Sequence, residues 1–64
     1  METVKFEIIV ISPDMCRIVP NDFRTKFKKI AEGGCIVSLE GMIAEMQEIT
    51  KKCADIGVIA LFEM

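Results

Sequence analysis

Cys16 and Arg17 stand side by side in ISPDMCRIVPND, residues 11 to 22, with Asp14 two positions before the thiol. A cation beside a cysteine favours the thiolate, and a thiolate is the form that attacks electrophiles or carries sulfur. Residues 13 to 20 follow an aliphatic run that reads as a strand, and ligands gather beyond strand C-termini in open α/β sheets. On that reading Cys16 is the nucleophile, Arg17 its electrostatic support and Asp14 the nearby carboxylate. Yet the chain contains no histidine, tyrosine or tryptophan, so it lacks the side chain that ordinarily moves protons near neutral pH. The preferred reading is therefore that Met15 and Cys16 close a small core under a connector between two prolines. No catalytic residue is assigned, and a thiol-dependent enzyme or sulfur carrier is kept as the alternative.

The second chemical signal is basic. Residues 17 to 29 hold Arg17, Arg24, Lys26, Lys28 and Lys29 against Asp22, a local balance of +4 in a chain of net charge −2. The preferred reading of such a stripe is a solvated charged face, with an acidic protein partner as the first alternative. Nucleic acid is disfavoured. Binding it needs several phosphate contacts and, for single strands, exposed aromatic platforms, whereas Phe23 and Phe27 fall on the face expected to point inward.

Metals and cofactors find no signature. The three cysteines, at 16, 35 and 53, form no CxxC pair. Gly33-Gly34 leads into a strand and Gly41 stands alone, so no glycine-rich phosphate cradle is spelled. An odd number of widely spaced cysteines fits a reducing cytoplasm better than a secreted disulfide scaffold. METVKFEIIV lacks the basic start and small-residue cleavage site of a signal peptide, and no apolar run approaches membrane-spanning length.

The elements that must position these residues follow from periodicity. Residues 3 to 12 pass from alternating apolar and charged residues into the run Ile8 to Ile11, a β-branched strand that Pro13 ends. From Asn21 or Asp22, Phe23, Phe27, Ile30 and Ala31 recur at helical spacing until Gly33-Gly34 stops the helix. CIVS, residues 35 to 38, reads as a short strand, and Ser38 as the cap of a second helix. On that helix Leu39, Met42, Ile43, Met46, Ile49 and Cys53 share one face, and Gly57 ends it. VIALF, residues 58 to 62, is a last strand without polar alternation.

The order β-α-β-α-β makes one domain, residues 1–64, of α/β (or α+β) class: a three-stranded sheet with two helices and open strand order. Order 2-1-3 would put one helix on each face, and 1-2-3 would leave one face bare. At 64 residues and 52 % hydrophobic, such a chain has more apolar surface than so small a core can hide. A homo-oligomer, most simply a dimer, is expected, with Met42, Met46, Val58, Leu61 and Phe62 as its contact. Together these readings describe a small cytoplasmic, non-enzymatic module acting through self-association and protein or small-ligand binding.

Overall fold

In the computed structural model, which describes residues 2–31 and 37–64, the chain is an α+β domain. Its elements are β1 (Glu2–Ser12), β2 (Met15–Pro20), α1 (Thr25–Ala31), β3 (Val37–Ser38), α2 (Met42–Asp55) and β4 (Val58–Glu63). They form one sheet in the order β3-β2-β1-β4. Three strands of length, β2-β1-β4, carry it, and the two-residue β3 adds to the Met15 end of β2. Of the expected strand at 35–38, Cys35 and Ile36 lie outside the described residues, as do Gly33 and Gly34.

The segment 13–20 departs from the connector expected of it. Only Pro13 and Asp14 turn, and Met15–Pro20 is a strand antiparallel to β1, with Phe6 opposite Pro20 and Ile8 opposite Ile18. Cys16, Ile18 and Pro20 are buried while Arg17 is exposed, the period of two that marks a half-buried strand. Proline is tolerated here because it sits at the strand's last residue. Tight hairpins usually need positive φ in the turn, but no described non-glycine residue has it. The register shift between Val10 and Ser12 supplies the extra twist instead.

β4 runs parallel to β1, with Val4 beside Ala60 and Phe6 beside Phe62. Both helices lie on this one face. Phe27 and Ala31 of α1 and Ile49 and Cys53 of α2 join Val4, Phe6, Ile8, Cys16, Ile18 and Val58 in a single buried cluster. Half-buried Phe62 packs against this cluster and stacks on Phe6, ring centroids 5.6 Å apart. Among the described residues nothing packs on the other sheet face, which is bare and carries Thr3, Lys5, Glu7, Ile9, Arg17, Val19, Ile59, Leu61 and Glu63.

The helix starts differ from expectation by a few residues. Asp22 Oδ1 accepts the Arg24 backbone N–H at 3.0 Å, a local turn that delays α1 to Thr25. This moves Phe23 off the helix, so the residue assigned inward is 67 % exposed. Ser38 Oγ accepts the Gly41 N–H at 3.1 Å, capping the turn before α2 rather than α2 itself. Gly57, at φ 73°, ends α2 as its type predicts.

Candidate functional site

Alternation along β2 sends neighbouring side chains to opposite faces, and this separates the residues of the thiol hypothesis. Cys16 is fully buried in the core, and Arg17 projects on the bare side. Asp14 is exposed in the turn, where its Oδ1 accepts a 3.0 Å hydrogen bond from Ser12 Oγ. The three do not share a surface. Cys53 is also buried, as its place on the α2 stripe implies, and burial raises its thiol pKa. Cys35 lies outside the described residues. No group of three potential ligands able to hold a metal occurs among the described residues, and no helix there is long and apolar enough to cross a membrane.

The basic residues divide into two sets. Arg24 is neutralised: its guanidinium donates to Asp22 and also pairs with Glu2, which the start of β1 brings alongside. Hydrogen bonding to Arg24 holds the Asp22 carboxyl below its ordinary value, and Asp22 and Glu2 together raise Arg24. Lys26 reaches Glu2 at 3.8 Å and lies over the Phe27 ring, 4.9 Å from its centroid. Among the described residues, Arg17, Lys28 and Lys29 have no such carboxylate partner.

Arg17 projects from the other face of β2, yet with Lys28 it lines a cleft of about 240 Å³ where the margin of β2 adjoins α1. Its floor is Ile18, Val19, Pro20 and Ala31, and Phe23 forms one wall. Lys28 Nζ stands 5.9 Å from the Phe23 ring centroid, close enough for the ring face to attract the cation. The site therefore offers an apolar floor, an exposed aromatic ring and two cations at the rim. Arg17 and Lys28 were visible in the sequence as basic residues. Phe23 and Val19 were not, because the helical phase placed Phe23 in the core and the connector reading gave residues 17 to 20 no face. The alternation Cys16-Ile18-Pro20 against Arg17-Val19 was the available signal.

The expected contact residues also divide. Val58 is core, Met42 and Met46 pack half-buried against it, and Phe62 stacks on Phe6. Leu61 alone is well exposed, at 50 %. It shares the bare face of β4 with Ile59, and on the helix side Ile43, Met46, Thr50 and Ala54 flank a groove against Ala60 and Phe62. Comparison with known proteins gives no match among family models, curated proteins or solved structures.

Proposed function

We propose that this chain is a non-enzymatic binding module that self-associates and takes an acidic protein segment in the cleft between β2 and α1. The observation that carries the reading is the exposed Phe23 beside Arg17 and Lys28 above an apolar floor. An apolar side chain flanked by carboxylates satisfies all of these at once, since its hydrocarbon covers the floor while its charges meet the rim. The full burial of Cys16 gives the thiol alternative no support from geometry. Ionic contacts at an exposed rim are screened by salt, so binding of this kind weakens as salt rises.

The test is a titration followed by backbone amide NMR, using a short peptide of alternating glutamate and leucine and its glutamine counterpart. The acidic peptide should shift Arg17, Val19, Phe23 and Lys28, and the neutral one should do so at least tenfold more weakly. Raising salt from 50 to 300 mM should narrow that gap. The double charge reversal Arg17→Glu, Lys28→Glu should abolish the shifts while leaving the melting curve nearly unchanged. Equal binding of both peptides, or shifts confined to other surfaces, would sink the proposal.

A further inference from the structure

β4 ends the sheet, and apolar surface wraps its free edge on both sides. On the bare face Ile59 and Leu61 are 45 % and 50 % exposed. On the helix face the groove of Ala60 and Phe62 continues to Ile43, which is 64 % exposed, with Gln47, Thr50 and Lys51 also lining it. A partner laid on either face alone would cover half of this, whereas a strand added to the edge covers both and also takes up the edge's backbone hydrogen-bonding groups. Stacking two bare faces is disfavoured for a second reason. Lys5, Glu7, Arg17 and Glu63 lie on that face, and the 2.9 Å Lys5–Glu63 pair would lose its water.

We propose that the edge of β4 pairs with β4 of a second copy, antiparallel and centred on Ala60. This rests on the self-association in the reading above and deepens it to one surface and one register. The sequence VIALF is apolar read in either direction, so a two-fold axis at Ala60 sets Ile59 opposite Leu61 of the second copy and Val58 opposite Phe62. Directly opposed residues share a face, so this register keeps all four helices on one side of a continuous eight-stranded sheet. The only charge on β4, Glu63, then falls opposite Gly57 of the second copy, which has no side chain to oppose it. No like charges on the two strands meet within the paired span. A register shifted by one residue would turn the second copy's helices to the opposite side and set Ile59 against Phe62, splitting the apolar surface that the Ala60 register joins.

Sedimentation equilibrium at micromolar concentration, together with directed cross-linking, tests this. Ile59→Cys and Leu61→Cys chains are prepared separately, unfolded, mixed, refolded and mildly oxidised, with the unsubstituted chain as control. The mixture should give a covalent dimer in high yield. Each variant alone should give little, because residues offset by two positions across a strand pair lie about 7–8 Å apart, beyond disulfide reach. A monomer at all concentrations would remove both self-association and this interface. A dimer that cross-links through Leu61→Cys alone, or through neither variant, would overturn the register or the edge while leaving self-association standing. Leu61→Lys provides a second arm: it should shift the association constant at least tenfold toward monomer with an unchanged circular dichroism spectrum. An undiminished dimer there would also overturn the proposal.

Discussion

β2 and β4 flank the same central strand and feed the same core, yet they treat their outer margins in opposite ways. β2 is guarded: prolines precede and end it, Arg17 projects from it, β3 covers Met15 and Cys16, and basic α1 stands beside it. β4 has five apolar residues before Glu63 and neither proline nor lysine, the devices that ordinarily block edge pairing. The difference teaches that two margins of one small sheet can differ in charge and in protection against edge pairing, and on the reading proposed above they would suit different partners. A cationic rim selects by charge and loses strength in salt, whereas a bare apolar strand selects by shape and hydrogen bonding and does not.

That contrast is broken most severely through the core the margins share. Phe27 is fully buried between α1 and the sheet, and replacing it by alanine should cost about 3–5 kcal/mol. A domain of this size has only a few kcal/mol in total, so Phe27→Ala should abolish the cooperative thermal transition, and with it both cleft binding and β4 pairing. A variant that lost the cleft but still dimerised would show that the two margins fold separately.

A smaller effect separates the two faces of β4. Phe62→Ala removes a half-buried ring stacked on Phe6 and should cost about 2 kcal/mol in chemical denaturation. Leu61→Ala, on the bare face, should change monomer stability by less than about 0.5 kcal/mol. Its effect should appear in the association constant instead. Similar unfolding midpoints for the two variants would mean that the assignment of faces is mistaken.

The smallest effects are ionic and separate the margins by pH. Cys53 and Lys5 both have raised pKa values, the first from burial and the second from its hydrogen bond to Glu63. The folded state therefore keeps these protons longer than the unfolded state does. Their stabilisation is complete below the unfolded-state values of 9.0 and 10.5 and is lost as pH rises through the folded ones. On the β2 side Asp22 is lowered, so its contribution is present above 3.8 and disappears as pH falls through the lower folded value. Melting curves should accordingly decline at both extremes. Cys53→Ala should flatten the slope from about pH 9 upward, and Asp22→Asn the acid limb. Unaltered slopes would count against these assignments.

Much of the architecture was legible because its signals are local. β1 announces itself by β-branched residues and α2 by a stripe spaced at 3.6 with Gly57 after it. β4 is visible as an aliphatic run. The strand at 15–20 was obscured because its prolines and the Pro13-Asp14 turn outweighed a six-residue alternation. α1 was found, but its start was misplaced by the local Asp22–Arg24 turn, and Phe23 was lost to the core in consequence.

By itself the sequence determined a mixed α/β or α+β class, the two helices, the surplus of apolar surface and the concentration of positive charge at 17–29, since each depends on residue type and short-range spacing. Only the tertiary structure decided that both helices share one face and that β2 lies between β3 and β1. It also brought Glu2 across to neutralise Arg24 while Arg17, Phe23 and Lys28 converge on one cleft. These outcomes depend on pairing between segments far apart in the chain. They are set by which strand edges and apolar faces can be satisfied together, a condition that no single stretch of residues expresses.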